Sequence, residues 1–480
     1  MRPRIRFLSD ALIRQILEEA YGLLAAQGVH LNHDTLLERF GDSGCRIDRQ
    51  KKRVWFPRDF IERVLASTPR EVRLWNVAGT RCCDLSGDNL HFTPGSTAIK
   101  MLDYGTNRMR PATTEDMLAY CRLVEQLGPI DYSSTAIVPS DAPAKIGDSV
   151  RLHALLKTTS KPICTGAFSV DGFEVMAELQ LAVRGTREAL KQKPFAFFSC
   201  CPTSPLKWST TTADNTMRCA ELGVPVEFIA MPLPGLVAPV SLVGSVVQHT
   251  AETLSGIAIA QMTCPGAPVL YGGSPAGFDM RSLAACASAL EAQMMCCAYA
   301  EVGKHLGLPT QAYIGMSDSK ALDAQAGFES GTGVYLAALA GINSVSGPGM
   351  LYFESCQSLE KLVLDAETCA MARRLVAGLE PREDFPAGAL FEQLLRDGNL
   401  LTADHTLKYL RQEHYVPGPV IDRSQVRDEA VTGPELRERA HAEVERHLRD
   451  WKDPAVLSAE QLRDINRIMA SAAGDARIAF

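Results

Sequence analysis

Eight short apolar runs recur along the middle of this 480-residue chain, and a helical pattern of apolar residues follows each of them. Their starts lie roughly 30–45 residues apart, which suits a strand followed by a helix. Eight such units predict an α/β fold built on a closed (β/α)8 TIM barrel, with an open doubly wound sheet as the alternative. No GxGxxG sequence follows the first run, which argues against a dinucleotide site. The runs lie at residues 90–93, 133–138, 162–167, 195–200, 226–230, 269–271, 311–314 and 342–346.

The alternation of strand and helix patterns is absent on either side of these units, which predicts that the chain has three parts. Residues 1–87 form an N-terminal helical or mixed cap, whose first helix begins after Ser9. Residues 88–380 form the barrel, and turn residues within 100–111 predict a hairpin at its mouth. Residues 381–480 form a C-terminal helical extension, in which Ser458 begins a capping box for the last helix.

Composition excludes several classes of protein. The net charge is −7 and no basic run is present, so nucleic-acid binding is not expected. The longest apolar stretch, residues 241–262, is interrupted by polar residues such as His249 and Glu252, so we expect no membrane span. No apolar segment follows the basic residues at the start of the chain, so a signal peptide is not expected either. We therefore expect a cytoplasmic protein.

The fourteen cysteines show no metal-binding pattern. They contain no CxxC pair and most lie in apolar runs, where Cys behaves as a small hydrophobic residue, so we expect reduced thiols. His153, His249 and His305 each stand alone in a helical pattern, and no HExxH sequence occurs. No zinc site is expected.

Residues 309–350 predict one complete strand–helix–strand unit. Loops that follow parallel strands lie together at one face of such folds, and that face carries the chemistry. Two polar, glycine-rich loops should therefore converge there. In order, the unit has a strand at 311–314, a loop at 315–323, a helix at 324–340 that ends at Gly341, a strand at 342–346 and a loop at 347–350.

Charged residues follow the last three predicted strands. They could pair with one another and cap the next helix, or they could form a charged wall around a ligand. Within this group we take Asp318, Glu329 and Lys320 as candidate catalytic residues. The full set is Asp279, Arg281, Asp318, Lys320, Asp323, Glu329 and Glu354.

Aromatic residues lie in or just after the strand runs. Several must belong to the core, but three or four of them beside a carboxylate would form a cage for a quaternary ammonium ion. The sequence alone does not select which ones meet. They are Tyr104, Phe198, Trp208, Phe228, Tyr271, Phe278, Tyr313, Tyr352 and Phe353.

Eight stretches carry a resemblance that covers most of the chain in order. They are HFTPGSTAIKMLDYGTNRMRPAT (91–113), TSKPICTG (159–166), SPLKWS (204–209), GLVAPVSLVGSVVQHTAETL (235–254), PGAPVLYGG (265–273), SDSKALDAQAGFESG (317–331), ALAGINSVSGPGML (338–351) and LTADHTLKYLRQEHYVPGPVIDR (401–423). Together they resemble the trimethylamine:corrinoid methyltransferase family. The chain contains twenty ordinary residue types and no pyrrolysine. It is therefore similar to the non-pyrrolysine branch, which includes glycine betaine methyltransferases.

The resemblance implies transfer of a methyl group from a quaternary amine to a Co(I) corrinoid, with glycine betaine as the first candidate. The corrinoid would be carried by a separate protein, because this chain has no DxHxxG sequence for binding it. No covalently bound cofactor is implied. The partner would dock over the barrel mouth, at residues 100–112 or the C-terminal helices. A homo-oligomer is also implied by the family.

Chemistry and the resemblance together suggest roles for further residues. The leaving group is a neutral tertiary amine, so the enzyme mainly orients and desolvates the cation. Because charge disappears in the transition state, a soft aromatic cage is favoured over a tight ion pair. Arg281, Lys320 and the backbone N–H groups of Gly347 and Gly349 are candidate donors to a betaine carboxylate. Gly347, Gly349 and Met350 are expected to face the corrinoid. The candidate substrate-binding residues are Tyr104, Phe198, Phe228, Tyr271, Phe278, Arg281, Tyr313, Tyr352, Phe353 and Glu354.

Other functions fit the same residues. The substrate could be proline betaine, carnitine, γ-butyrobetaine or choline. A barrel lyase or decarboxylase could use Asp318 and Lys320 as acid and base, and would need no corrinoid protein. A non-catalytic betaine-binding protein would bind the amine without demethylating it.

Overall fold

The computed structural model describes residues 2–425 and 433–474. Met1 of the predicted cap, and residues 426–432 and 475–480 of the predicted C-terminal extension, lie outside the described residues.

The N-terminal part is a mixture of helices and short strands. The Ser9 hydroxyl accepts the N–H of Leu12 and caps the first helix, as predicted. The elements are α1 (Asp10–Ala26), β1 (Val29–Leu31), α2 (Asp34–Asp42), β2 (Arg46–Asp48), β3 (Arg53–Trp55), α3 (Arg58–Ser67), β4 (Arg73–Trp75) and β5 (Cys82–Asp84).

Strands and helices alternate through the middle of the chain, and each of the eight predicted runs contains a strand. The first half comprises β6 (His91–Thr93), β7 (Lys100–Asp103), β8 (Arg108–Pro111), α4 (Thr114–Gln126), β9 (Ser133–Ser134), α5 (Gly147–Thr158), β10 (Ile163–Thr165), α6 (Val170–Arg184), α7 (Arg187–Gln192), β11 (Ala196–Cys200), β12 (Lys207–Trp208), α8 (Thr210–Leu222) and β13 (Val226–Ala230). The second half comprises α9 (Leu242–Thr263), β14 (Val269–Gly273), β15 (Gly277–Asp279), β16 (Ala284–Cys286), α10 (Leu290–His305), β17 (Gln311–Tyr313), α11 (Ala324–Ala340), β18 (Ser344–Ser346), β19 (Met350–Leu351), β20 (Cys356–Gln357) and α12 (Leu359–Ala377).

The eight strands of the predicted runs form two parallel sheets in a mixed α/β fold. One sheet has the order β14-β13-β11-β10-β9, and the other has the order β17-β18-β6. A parallel bridge between Tyr271 and Thr310 connects β14 to the start of β17. On the other side, the N–H groups of Asp131 and Tyr132 donate to the carbonyl oxygen of Phe92 in β6.

Three pieces of local structure at the ends of the strands bear on the predictions. The predicted hairpin is β7–β8, and β7 pairs with β20, so the hairpin lies beside the loop that follows β18. A second hairpin, β15–β16, was not predicted, because residues 277–286 show no clear alternation of apolar and polar residues. β12 extends the N-terminal sheet by pairing with β1, so the N-terminal part is joined to the loop after β11.

The C-terminal helices differ in how they pack. They are α13 (Gly388–Asp397), α14 (Asp404–Glu413), α15 (Leu436–Asp450) and α16 (Ala459–Ala473), and Ser458 begins the last one with the predicted capping box. Buried residues such as Ala440 and Ile465 attach α15 and α16 to the core. In contrast, α13 and α14 contribute no buried side chain.

All fourteen cysteines are free thiols, as expected from their positions in apolar runs. Among residues 2–425 and 433–474, no helix combines the length and the apolar character that crossing a membrane requires.

Candidate functional site

A cavity of about 460 Å³ lies where the parallel strands end, which is a size typical of small-molecule sites. Strands or post-strand loops from around both sheets contribute to its wall. The lining residues are Ser96, Thr97, Thr135, Arg151, Gly166, Ala167, Phe168, Ser199, Cys200, Cys201, Ser209, Thr211, Thr212, Asn215, Ile229, Met231, Ser274, Tyr313 and Glu354.

Glu227 lies directly behind the cavity wall. It is fully buried in β13, and its Oε1 accepts a hydrogen bond of 2.5 Å from the hydroxyl of Ser199, a lining residue. Its Oε2 has no hydrogen-bond partner in the described part of the chain. Burial raises the pKa of this carboxyl to about 7, although the hydrogen bond from Ser199 acts in the opposite direction and lowers it. The group can therefore change protonation near neutral pH.

A second carboxyl, that of Glu354, lines the cavity itself. Burial, followed by the charges of Glu227 and Asp318, raises its pKa to about 8. Its Oε1 also has no hydrogen-bond partner within the described ranges. Two carboxyls with unpartnered oxygens in one buried site are costly unless a ligand compensates them.

An unusual turn places Glu354 in the wall. Tyr352, Phe353 and Glu354 have φ values of +51°, +51° and +56°, so three successive side-chain-bearing residues adopt the left-handed conformation. Each such residue costs on the order of 1–3 kcal/mol and persists only where neighbouring contacts enforce it. Here the N–H of Tyr352 donates to Ser319, at 3.0 Å, and the N–H of Ser355 donates back to Tyr352.

A buried ion pair holds the start of the same loop. The Asp365 carboxylate accepts the N–H of Gly349 at 2.7 Å and pairs with the Lys361 ammonium group. Lys361 also donates to the Ser330 hydroxyl of α11 at 2.7 Å. Both charged side chains of the pair are essentially inaccessible to solvent, so α12 fixes the loop that carries Glu354.

The first turn of α8 forms another part of the cavity wall. Ser209 caps this helix, and Ser209, Thr211 and Thr212 bring three hydroxyl groups to the cavity. A helix N-terminus carries partial positive charge and favours anions. Asn215 lies one turn further along, is buried, and has an unpartnered Oδ1 in the described structure. The cavity therefore has an acidic side and an electropositive, hydroxyl-rich side.

The remaining ionisable groups of the wall are an arginine that is already paired and side chains that are neutral near pH 7. Arg151 is buried and its charge is balanced by Asp148, at 2.8 Å, while it also donates to the carbonyl of Thr135. Burial raises the pKa of the Cys201 thiol to about 12 and that of the Tyr313 phenol well above its usual value. Cys201 and Tyr313 are therefore neutral near pH 7.

The three predicted catalytic residues are not among the lining residues of the cavity, and two of them make structural contacts. Asp318 accepts the N–H groups of Ala287 and Ser288, which fixes the segment that leaves the β15–β16 hairpin. Burial, followed by the charge of Glu329, raises the pKa of Asp318 to about 6. Glu329 accepts the Ser317 hydroxyl at 2.6 Å and the N–H of Asp318 at 2.9 Å.

Lys320, the third of them, is exposed, and its Nζ lies 5.8 Å from the centre of the Tyr352 ring. The Lys100 ammonium group lies 5.4 Å from the same ring. Tyr352 is thus already engaged with two protein cations outside the cavity.

Among the other predicted aromatic residues, the structure brings Tyr313 and Phe353 together. Tyr313 lines the cavity beside Glu354, and Phe353 packs in the same apolar cluster as Tyr313 and Ile229. Phe278 is half-buried in the β15–β16 hairpin. Tyr104 stacks on His441 of α15, with ring centres 3.5 Å apart, so its ring face is occupied.

Phe198, Phe228 and Tyr271 point from their strands towards the surrounding helices, which corrects their assignment to a cage. Phe198 packs against Phe173 of α6, and Phe228 packs against Trp208. The Tyr271 hydroxyl donates to Thr250 of α9 at 2.9 Å. Side chains alternate along a strand, so these rings face away from the neighbouring residues that approach the cavity.

The predicted carboxylate donors and corrinoid-facing residues also lie elsewhere. Arg281 is 92% exposed at the tip of the β15–β16 hairpin, where it pairs with Asp279. The N–H of Gly347 donates to the Thr93 carbonyl, and that of Gly349 donates to Asp365, so neither N–H is available to a ligand. Met350 is fully buried in the cluster with Tyr313 and cannot face a corrinoid in this conformation.

Sequence reasoning missed two components of the site. Glu227 stands inside an apolar strand run, Val226–Ala230, and a single acid in such a run is a signal that could have identified it. The hydroxyl cluster of α8 is visible as the run of Ser209 followed by three threonines, which marks a helix start as readily as a ligand site. In residues 2–425 and 433–474, no group of three or more His, Cys, Asp or Glu residues is arranged to hold a metal ion.

Comparison with known proteins identifies the family. The family model described as trimethylamine methyltransferase (MTTB) matches residues 1–471. A glycine betaine methyltransferase from Desulfitobacterium hafniense (strain Y51) is 29% identical, over 95% of this chain and 94% of the relative. The trimethylamine methyltransferase MttB2 of Methanosarcina mazei is also 29% identical, over 94% of this chain and 92% of the relative.

A solved structure agrees at the level of the fold. The crystal structure of the hydroxylamine complex of MtmB aligns over 92% of both chains, with a TM-score of 0.50 and 11% sequence identity. The resemblance inferred from the sequence motifs is confirmed by the match along nearly the whole chain. This chain belongs to the trimethylamine methyltransferase family.

Proposed function

We propose that the protein transfers a methyl group from a quaternary amine, with glycine betaine as the first candidate, to a Co(I) corrinoid carried by a separate protein. One observation carries the proposal. A cavity of small-molecule size contains the Glu354 carboxyl and adjoins that of Glu227, each with an unpartnered oxygen, beside the Tyr313 ring. The positive charge of a bound cation would offset the negative charge of both carboxylates. The name of one relative, glycine betaine methyltransferase, supports the same class of substrate.

We infer that the two parallel sheets form one closed (β/α)8 barrel, residues 88–380, between the cap of residues 1–87 and the extension of residues 381–480. The Tyr271–Thr310 bridge supports closure on one side. The hydrogen bonds from Asp131 and Tyr132 to Phe92 support it on the other. In a barrel of this kind the active site lies at the carboxyl ends of the strands, where the cavity lies.

The trimethylammonium group would bind at the acidic side of the cavity. A quaternary ammonium ion has no N–H to donate, so it is held by charge and by aromatic faces. Glu354 and Glu227 supply the charge, and Tyr313, which packs in one apolar cluster with Phe353, supplies the aromatic surface.

The carboxylate of a betaine would bind at another part of the wall, at the start of α8. The hydroxyl of Thr211 can donate to it, as can one of the two hydroxyls of Ser209 and Thr212, which are hydrogen-bonded to each other. The helix dipole favours its charge. This side of the cavity distinguishes betaine, which is a zwitterion, from choline, which ends in a neutral hydroxyl group. The start of α8 therefore takes the role of donor to the betaine carboxylate that the sequence predicted for Arg281, Lys320, Gly347 and Gly349.

The raised pKa values of the two carboxyls suit a substrate that loses its charge. While the cation is bound, a deprotonated carboxyl offsets its charge. When the methyl group leaves, the amine becomes neutral, and a carboxyl with a pKa near 7 or 8 can take up a proton instead of remaining a buried, unpaired charge. The chain's own contribution is therefore to orient the amine, exclude water and balance charge.

A corrinoid acceptor could approach the bound amine only from outside the cavity. A Co(I) corrinoid supplies a strong nucleophile for the methyl carbon. A volume of about 460 Å³ holds an amine of this size but not a corrinoid macrocycle, so the acceptor must reach the amine through the mouth. This supports a carrier protein as the partner.

The alternative of a barrel lyase has less support. It would use Asp318 and Lys320 as acid and base, yet the Asp318 carboxylate is held by two backbone N–H groups and Lys320 lies against Tyr352. We also infer a homo-oligomer. Exposed apolar residues on residues 379–416, which we call the C-terminal arm, support self-association.

We expect calorimetry to separate the two ends of the substrate site. Glycine betaine should bind at least about tenfold more tightly than 3,3-dimethylbutanoate, which keeps the shape and the carboxylate but replaces the ammonium nitrogen with carbon. Choline should bind about fivefold to tenfold more weakly than betaine, because it lacks the carboxylate that α8 favours. Equal affinities for betaine and 3,3-dimethylbutanoate, which lacks only the cationic nitrogen, would contradict a cation site.

We also expect binding to depend on pH. The carboxyls of Glu227 and Glu354 have pKa values raised to about 7 and about 8, so betaine should bind roughly tenfold more tightly at pH 9 than at pH 6. Binding near pH 7.5 should release protons, which is measured by calorimetry in buffers of different ionisation enthalpy. Glu354→Gln should reduce the release, and a release unchanged in that variant would assign the protons to other groups.

Binding should strengthen as the pH rises, whereas the stability of the free protein should fall. Both carboxyls have higher pKa values in the folded than in the unfolded chain, so the folded state binds more protons between about pH 4.5 and pH 8. Their contribution to the free energy of unfolding is therefore fully present below pH 4.5 and is lost as the pH rises through 7 and 8.

A further inference from the structure

Large apolar side chains are exposed in two separate regions of the described chain. Nine lie on residues 375–416, which include the C-terminal arm. Ten others lie in the loops and first helical turns that follow the parallel strands, at the end of the fold where the cavity opens. Exposed apolar patches of this kind mark interaction sites more often than isolated apolar residues do.

Four of the ten lie on two chain segments that meet at Gly235, and we call them the mouth patch: Leu236, Val240, Met280 and Leu283. They come from the loop after β13 and the tip of the β15–β16 hairpin. Met280 and Val240 meet above Gly235, since a Cβ atom placed there would lie 2.6 Å from Met280 Cε and 3.8 Å from Val240 Cγ2.

The hairpin that carries half of the mouth patch is held in position at both of its ends. At its start, the N–H of Ala276 donates to the carbonyl of Pro232 in the neighbouring loop. At its end, Asp318 accepts two backbone N–H groups, those of Ala287 and Ser288. This assigns Asp318 a positioning role.

The tip of this hairpin is both exposed and conformationally unfavourable. Leu283 is 75% exposed and has a φ of +53°, a conformation that side-chain-bearing residues rarely adopt. Met280, on the other side of the tip, is 59% exposed. A rigid support that presents two apolar side chains to solvent is typical of a binding surface.

The proposed reaction indicates which partner would cover the mouth patch. On the proposed function, the acceptor is too large for the cavity and must be delivered by a protein that seals the mouth and excludes water. We propose that the mouth patch is the docking surface for the corrinoid-carrying protein. The ten exposed side chains around the mouth offer on the order of 800 Å² of apolar surface, about one partner's share of a standard interface.

The C-terminal arm is in the wrong place for this partner. It follows the end of α12, where Arg373 donates to the carbonyls of Leu90 and Pro129, at the start of the strands. Arg374 in turn donates to Glu413 at the end of the arm's second helix. The arm is therefore anchored at the end of the fold opposite the mouth.

Two methyl acceptors, the corrinoid protein and free cob(I)alamin, distinguish an effect on docking from an effect on methyl transfer itself. The variant Met280→Asp/Leu283→Asp should raise the KM for the reduced corrinoid protein of the same organism at least tenfold. Its rate with free cob(I)alamin should stay within about twofold of the wild type, because the small acceptor needs no docking surface. Leu236→Asp/Val240→Asp, on the other half of the mouth patch, should behave in the same way.

The control is Leu395→Asp on the C-terminal arm, an equally exposed apolar position that should leave both reactions unchanged. Circular dichroism and thermal unfolding verify that each variant folds. An unchanged KM for the carrier in both mouth variants, a tenfold rise in Leu395→Asp, or wild-type protein that methylates cob(I)alamin but not the carrier would each overturn the docking proposal. Wild-type protein that methylates neither acceptor would overturn the proposed function, and the docking proposal with it.

Discussion

Glu354→Gln is expected to weaken binding of the quaternary amine by about thirtyfold and to lower methyl transfer at least as much. The substitution keeps the shape of the side chain but removes a charge that faces the cavity, and a charge pair in a partly shielded site is worth about 2 kcal/mol. Glu227→Gln should have a similar effect, because its carboxyl lies just behind Ser199. The double variant should lose binding almost completely. Calorimetric affinities and kcat/KM values for glycine betaine measure both effects.

Glu329→Gln is the matched control for this prediction. Sequence reasoning placed Glu329 in the catalytic set, but in the structure its carboxylate accepts the Ser317 hydroxyl and the Asp318 N–H, which a glutamine oxygen can also accept. Its affinity for the amine should stay within about threefold of the wild type. A large loss in Glu329→Gln together with an unaffected Glu354→Gln would mean that the acidic side of the cavity has been assigned to the wrong carboxyls.

Lys361→Met is expected to lower the free energy of unfolding by about 3–5 kcal/mol, because it leaves the buried Asp365 carboxylate without its partner. The effect should reach the site, since Asp365 holds Gly349 at the start of the loop that carries Glu354. We therefore expect a lower thermal unfolding temperature and a weaker affinity for the amine in the same variant.

Two further variants separate the causes of that loss. Lys361→Met/Asp365→Leu removes both buried charges and should recover much of the stability, but not the anchoring of Gly349 or the affinity. Lys408→Met breaks an exposed pair with Glu383 and should change little. Equal unfolding temperatures for Lys361→Met and the wild type would show that the buried pair does not hold this loop.

The sequence predicts the order of strands well and the faces of the strands poorly. All eight apolar runs contain strands. Their spacing equals the length of chain that a strand, a helix and two loops require, so the sequence reveals it directly. In contrast, Glu227 and Phe228 are neighbours on β13 that point to opposite sides, and both sides are buried. Strands of a parallel sheet covered on both faces lack the alternation that would reveal which residue faces the cavity. Hence Phe228 was predicted in the site and Glu227 was not.

Contacts between distant parts of the chain could not be predicted either. Tyr104 follows β7 of the predicted mouth hairpin, but its ring stacks on His441, far along the chain. Gly347 and Gly349 have the composition of an anion-binding loop, yet Thr93 and Asp365 already accept their N–H groups. Tyr313 and Glu354, both predicted to bind the substrate, line the cavity: Tyr313 ends β17, and Glu354 lies in the loop between β19 and β20. Position along the chain locates a loop, but only the fold determines the partners of each side chain.

The most direct test of the proposed function is anaerobic methyl transfer to a Co(I) acceptor. The purified protein is mixed with glycine betaine and reduced cobalamin, and then with reduced corrinoid protein, while the Co(I) absorbance is followed and dimethylglycine is quantified. We predict that the Co(I) absorbance falls with wild-type protein, that one dimethylglycine forms for each Co(I) consumed, and that Glu227→Gln/Glu354→Gln abolishes both signals. Stable Co(I) absorbance with every quaternary amine tested, and with both acceptors, would contradict the proposed function.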